Sequence, residues 1–162
     1  MSHELTDLLP SDAPAIKALI TSAMNADEGF QAAETIHKHF AMAGAGISDG
    51  RTYFVYRDGG SIAGLAGLHY YEWGPKENVW LGWFAVHPSH QGRGIGKSLL
   101  ELVEKKAIEA GYKKFFVETY SSPTFARARE FYARQGFAVV GQIANYLPDG
   151  ADMVVFGKSL GR

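Results

Sequence analysis

The sequence predicts a mixed α/β sheet of about seven strands, mostly antiparallel with a parallel central pair and with helices on both faces. Three observations lead there. Apolar alternation on both sides of Asp58-Gly59-Gly60 reads as an antiparallel hairpin, because that triplet supplies the positive φ angles of a tight turn. Residues 78–119 read as strand, helix, strand, an order that calls for a right-handed crossover between parallel neighbours. From Gly94 the apolar period becomes helical, with Ile95, Leu99, Leu102 and Val103 on one face.

Element by element, a short strand is expected near Leu5 to Leu9. Ser11 follows as N-cap of a helix from Asp12 to about Met24, and a second helix runs from about Ala32 to Ala43. Both helices should cover one face of the sheet. "RTYFVYRDGGSIAGLAGLHYYEW" supplies the hairpin strands. After the turn at Gly74-Pro75, "NVWLGWFAV" is apolar on both alternating faces and reads as one central strand buried on both sides. The helix that begins after Gly94 stops at Gly111, and "KKFFVETY" is the next strand. Ser122 and Pro123 fit the N-cap and first helical positions of a helix that runs to Gln135 and ends at Gly136. Two strands, about Phe137 to Asn145 and Asp152 to Lys158, flank a Pro148-Asp149-Gly150 turn.

A chain of 162 residues is the size of a single domain, here taken as 1–162. Lys and Arg number 16 against 17 Asp and Glu, and this net charge of -1 offers no broad basic field for nucleic acid or anionic lipid. Any charged partner must be met locally. The absence of cysteine excludes disulfides and thiolate metal sites, and the opening "MSHELTDLLPSD" lacks the basic-then-apolar pattern of a secretory signal. The apolar run from Val79 to Val86 is too short to cross a bilayer. A cytoplasmic, non-membrane protein is expected, compatible with a homodimer.

The stretch "HQGRGIGKSLL" packs three glycines, an arginine and a lysine into a helix entry. A P-loop needs G-x-x-x-x-G-K-[ST]; Gly96, Lys97 and Ser98 fit its end, but Gln91 stands at its first glycine. The dinucleotide fingerprint G-x-G-x-x-G starts at Gly92 and Gly94 and meets Lys97 at its third glycine. Q-x-x-G-x-G is satisfied, at Gln91, Gly94 and Gly96, between a buried strand ending "FAVHP" and a long amphipathic helix. In that context the chain resembles the GNAT superfamily of N-acetyltransferases over roughly residues 50–158. The physical logic stands beside the resemblance: glycines admit a ligand close to the backbone, and first-turn N–H groups point at an anion. The resemblance implies acetyl-CoA as co-substrate, no metal, and a GNAT-like fold. It implies pantetheine on the backbone around Phe84, Ala85 and Val86, and pyrophosphate on Gly92, Arg93, Gly94, Ile95, Gly96, Lys97 and Ser98.

A second segment, "ARAREFYARQGF", resembles the family's later motif ending F-Y-x-x-x-G-F. The resemblance implies that Tyr132 protonates the departing CoA thiolate; a packed core tyrosine is the alternative. Seven residues before it, where the family often has a pantetheine-binding asparagine, this chain has Phe125. Acetylation also needs the amine to lose a proton. Many relatives carry a glutamate for this on the central strand, where this chain has Trp80. Glu118, ending the apolar strand "KKFFVET", is the candidate base; the acetyltransferases of a ribosomal-protein N-terminal alanine place theirs on the same strand. His69 and Glu72 are reserve bases or acceptor contacts. His37 and His39, at i and i+2, point to different sides of a helix, and His87 with His90 lack a third ligand for a metal. Tyr70, Tyr71, Trp73, Trp80 and Trp83 line an acceptor pocket or belong to the core. "ANYLPDGADMVVF" resembles the tail of the ribosomal-protein enzymes and favours an α-amino acceptor. The leading expectation is direct attack of a primary amine, of a small molecule or a peptide N-terminus, on acetyl-CoA. A non-catalytic acyl-CoA-binding module and a protein-interaction domain are the rivals.

Overall fold

The computed structural model describes residues 3–161. Among them, eight strands and four helices make a mixed α/β fold, mostly antiparallel with one parallel pair. The chain folds as two compact units, one holding residues up to His69 with Gly82–Val103, the other Tyr70–Leu81 with Glu104 onward. Among the described residues no helix is long and apolar enough to cross a membrane.

In the first unit β1 (His3–Asp7), β2 (Arg51–Asp58), β3 (Ser61–His69) and the short β5 (Ala85–Val86) pair antiparallel in the order β1-β2-β3-β5. The hairpin turn is as the sequence requires, with Gly59 and Gly60 at φ 57° and 87°. On the sheet face carrying Tyr53, Val55 and Leu65 lie α1 (Ala13–Ala23) and α2 (Ala26–Gly44), which bury Ile16, Leu19, Ile20 and Ile36 against it. The first turns of α3 (Ile95–Glu109) take the other face. A Cβ at Gly64 would stand 2.6 Å from Leu99, so β3 accepts this helix only where it has no side chain.

Two helix starts differ from expectation. Ser11 is not a cap: Pro10–Asp12 forms a 3-10 turn, and the Asp12 carboxylate instead accepts the Leu9 N–H at 2.8 Å and two bonds from Arg57, at 3.0 and 2.6 Å. α2 begins six residues before the expected Ala32, because the Asn25 side chain caps it by accepting the Glu28 N–H at 2.8 Å. Gly29 hides that start from a propensity reading. It is needed because a Cβ there would collide with Thr21 of α1.

The second unit runs β4-β6-β8-β7, from β4 (Asn78–Leu81), β6 (Lys114–Tyr120), β8 (Met153–Ser159) and β7 (Ala138–Ile143). β4 and β6 are the expected parallel pair, in register from Asn78/Lys114 to Trp80/Phe116. The single central strand expected over "NVWLGWFAV" is therefore two, β4 on β6 and β5 on β3, broken at Gly82–Trp83–Phe84. The cause is close backbone approach: Gly82 N–H donates to Gly67 C=O at 2.8 Å, and a Cβ on Gly82 would lie 3.3 Å from the Gly67 backbone. The helix expected from Pro123 starts as a 3-10 turn and becomes α4 (Ala126–Arg134) three residues later. Ser122 gives no side-chain cap; Arg129 ties the loop down by donating to Tyr120 C=O at 2.6 Å and Ser122 C=O at 2.9 Å.

The Asp12–Arg57 pair, largely buried at the start of α1, yields a pH test. Burial alone would push the Asp12 carboxyl up, but the Arg57 hydrogen bonds, the Leu9 N–H and the guanidinium charge together hold it below its ordinary 3.8. With the folded-state value depressed, the stabilisation is whole above pH 3.8 and is lost as pH falls through the folded value. Asp12→Asn should cost about 1–3 kcal/mol at pH 7, measured by urea unfolding. The gap from the parent protein should narrow as pH falls below 3.8.

Candidate active site

The glycine loop is built within the first unit. After β5, His87 opens a 3-10 turn (Pro88–His90), and its ring accepts the Ser89 N–H at 3.2 Å. A relay of polar contacts fixes the turn: His87 Nδ1 to Ser89 Oγ at 2.8 Å, Ser89 Oγ to His90 Nδ1 at 2.9 Å, and His90 Nε2 to Asp58 Oδ2 at 2.9 Å. Gln91, picked out by motif alone, donates from its side-chain amide to Val86 C=O at 3.1 Å and so closes the loop onto the end of β5. Asp58 is the residue that sequence reasoning misses. In the sequence it reads only as part of a turn, and nothing local announces that it anchors His90, 32 residues away.

Gly92 and Gly94 both stand at φ 78°, and a Cβ at either would meet nothing within 4 Å. Packing does not demand these glycines; backbone conformation does, and it leaves open space over the loop. The first intrahelical bond of α3 is Ser98 N–H to Gly94 C=O at 3.0 Å, so Ile95, Gly96 and Lys97 present N–H groups without a helical acceptor. No carboxylate sits in that first turn to satisfy them. Arg93 is exposed, and Lys97 reaches Glu101 only at 3.9 Å. Partial positive charge, open space and donors without a helical acceptor among the described residues are what an anion would need here.

In the second unit β6 carries the other candidates on opposite faces. Phe115, Val117 and Thr119 are buried on one face; Lys114, Phe116, Glu118 and Tyr120 alternate onto the other. Tyr132 of α4 packs on the buried face, its ring 6.0 Å from Phe137 and 5.9 Å from Phe156, which pairs with Val117. Burial pushes its phenol well above the ordinary value, so it keeps its proton at any working pH. Thr119, 4% exposed and on the same face, has a hydroxyl with no hydrogen-bond partner among the described residues. Glu118 is exposed and accepts a bond from the Tyr120 hydroxyl at 3.1 Å.

Phe125 is buried against Tyr120, ring to ring at 5.3 Å. The expected aromatic group divides. Tyr71 stacks on Trp73 at 4.7 Å and meets Trp80 edge-on at 5.8 Å, and Trp80 lies 5.1 Å from Phe116 on the Glu118 face, whereas Trp83 packs into the core of the first unit. Trp73 is 84% exposed. Glu72 is exposed in the turn that follows β3. His69, half-buried, is held down to about 4, first by burial and then by the positive charge of Arg51, and is a neutral imidazole at pH 7.

The chain is similar to known acetyltransferases. The acetyltransferase (GNAT) family model matches residues 15–137. Streptothricin acetyltransferase of Streptomyces lavendulae is 31% identical over 94 residues, 58% of this chain and 48% of that enzyme, so the chain spans about half the length of this relative. A structure described as a GNAT-family acetyltransferase from Desulfovibrio desulfuricans superposes with a TM-score of 0.87 at 23% identity, covering 99% of this chain and 100% of that one. The ribosomal-protein-S18-alanine N-acetyltransferase of Escherichia coli superposes at 0.75 with 21% identity, covering 99% and 96%.

Gly94→Ala tests the loop conformation apart from any ligand. The added methyl meets open space, so only the positive φ opposes it, and the expected cost is about 1–2 kcal/mol in urea unfolding with an unchanged slope.

Proposed function

This chain belongs to the acetyltransferase (GNAT) family, and from that premise we propose that it is an N-acetyltransferase moving the acetyl group of acetyl-CoA directly onto a primary amine. The family reaction is acetyl transfer from acetyl-CoA; the amine acceptor is our reading. The observation that carries it is the anion cradle, two positive-φ glycines with open space beside them before a helix whose first N–H groups lack acceptors. A pyrophosphate suits that cradle in charge and in donor set. Backbone groups from Gly92 to Ser98 would hold it, and those of Phe84, Ala85 and Val86 would take the pantetheine. Thr119 offers, on the Tyr132 side of β6, a buried hydroxyl with no partner among the described residues, and Phe125 stands in by packing for an amide contact.

Acetylation joins the acceptor nitrogen to the carbonyl carbon and breaks the carbon–sulfur bond, with a net proton passing from nitrogen to sulfur. An α-ammonium, with a pKa of about 8, is mostly protonated at pH 7 and cannot attack. Glu118 takes that proton. Tyr132, held protonated by burial, supplies a proton to the departing thiolate. The exposed carboxylate is the base and the buried phenol the acid. No covalent enzyme intermediate is needed. The resemblance to ribosomal-protein enzymes favours an α-amino acceptor.

Acetyl-CoA should raise the melting temperature, by about 2.7 kcal/mol of stabilisation at a hundred times its dissociation constant. Gly94→Glu, which puts a carboxylate in the cradle, should abolish that rise while the circular dichroism spectrum stays native. Normal CoA binding by this variant would overturn the loop assignment.

Tyr132→Phe keeps the ring and its packing, so acetyl-CoA affinity should hold while single-turnover acetylation slows at least about tenfold. Glu118→Gln should lose about 10²- to 10⁴-fold below the acceptor's pKa and recover as pH rises. A parent-like pH profile would return the base to His69 or Glu72. Tight CoA binding with no turnover across a broad amine panel would mark a non-catalytic acyl-CoA-binding module.

A further inference from the structure

At the end of the β2–β3 ladder farthest from the hairpin turn, on the face covered by α2, five polar side chains gather: His39, Asp49, Arg51, Tyr53 and His69. Asp49 is saturated from one side. Both its carboxylate oxygens meet His39 Nδ1, at 2.8 and 2.9 Å, and Oδ1 also accepts the Arg51 N–H at 3.0 Å. The Arg51 guanidinium is left out of this arrangement. It is half-buried, makes no ion pair among the described residues, and its one hydrogen bond is a long 3.5 Å contact to the Tyr53 hydroxyl. Its other donors have no protein acceptor among those residues.

Tyr53 and His69 do not cancel the charge of Arg51. Tyr53 is 3% exposed and burial pushes its phenol up, so it stays neutral. His69 stands directly across the ladder from Arg51 and is also neutral. The Tyr53 ring lies over Gly67, where a Cβ would come within 2.8 Å of it, so this wall of the cluster is rigid. Asp49, whose carboxylate accepts the Arg51 N–H, is turned to His39 and makes no ion pair with the guanidinium. A half-buried guanidinium with unused donors is matched by a planar anion, and a carboxylate suits its fork.

The position indicates whose carboxylate it is. β3 pairs with Ala85 and Val86 through Leu65 and Gly64, while Gly82 meets β3 at Gly67, nearer to His69. In the proposed reaction the pyrophosphate end of acetyl-CoA lies beyond Val86, so the stretch running back to Gly82 leads towards the thioester end. Resting on that proposed function, we propose that Arg51, flanked by His69 and Tyr53, binds a carboxylate carried by the amine acceptor, which makes the acceptor an amino acid or a similar amino carboxylate.

The test uses acceptor pairs that differ only in the carboxylate: L-phenylalanine with phenethylamine, and L-lysine with cadaverine. The intact protein should favour the acid of at least one pair by about tenfold or more in kcat/KM at saturating acetyl-CoA. Arg51→Gln should reduce that preference to about twofold or less without changing acetyl-CoA binding, and Arg51→Lys should keep part of it. In parallel, the protein loaded with CoA, which cannot turn over, is titrated calorimetrically with each compound and with inorganic phosphate. Binding of the acids, lost in Arg51→Gln and kept in part by Arg51→Lys, supports the proposal even if no amine is acetylated, in which case the acetyl-transfer reading fails alone. Equal treatment of acids and amines by the intact protein overturns it, as does a preference that survives Arg51→Gln. Tighter binding of phosphate than of either acid overturns it too, assigning Arg51 to a phosphate.

Discussion

Between Leu81 and Ala85 an apolar run that reads as one strand is interrupted, and the interruption rests on a close approach of two glycine backbones. β4 follows β6 in parallel only as far as Trp80, whereas β5 takes up antiparallel pairing with β3 at Ala85. A strand that stayed in one ladder would spend its N–H and C=O groups on its neighbours. Gly82 permits the interruption by lying against the Gly67 backbone, to whose C=O its N–H donates at 2.8 Å. β5 is then brief, and the chain enters the glycine loop within a few residues.

The glycine loop ends at a helix start. α3 starts with no acidic side chain in its first turn, so its leading N–H groups remain available for an external anion. The supports are side chains outside the cradle: Gln91 on the Val86 carbonyl, and the Asp58–His90–Ser89–His87 relay beneath the turn. Gly92 and Gly94 can therefore stay bare without leaving the loop loose. Rigidity comes from below and access from above.

Burial sets the protonation states that the proposed chemistry uses. Tyr132 is kept a phenol by the apolar side chains of Phe137 and Phe156, and His69 is kept an uncharged imidazole by burial and by Arg51. The alternation of β6 puts Thr119 and the Tyr132 contacts on its covered side and Glu118 on its exposed side. One strand thus presents two environments of different polarity a single residue apart.

Where local chemistry is decisive, the sequence by itself determined the outcome: the Asp58-Gly59-Gly60 hairpin, the parallel pair flanking α3, the helix stops at Gly111 and Gly136, and the glycine loop. Positive φ and hydrophobic period are properties of neighbouring residues, so they can be read along the chain. The early start of α2 was also local, in the Asn25 cap, but Gly29 masked it until its contact with Thr21 explained why a glycine stands there. The break in "NVWLGWFAV", the Asp58–His90 anchor, the Arg129 clamp and the Arg51 cluster were legible only in three dimensions. Each depends on which distant backbone or side chain comes within hydrogen-bonding reach, and that is settled by how the strands pair rather than by any residue's own preference.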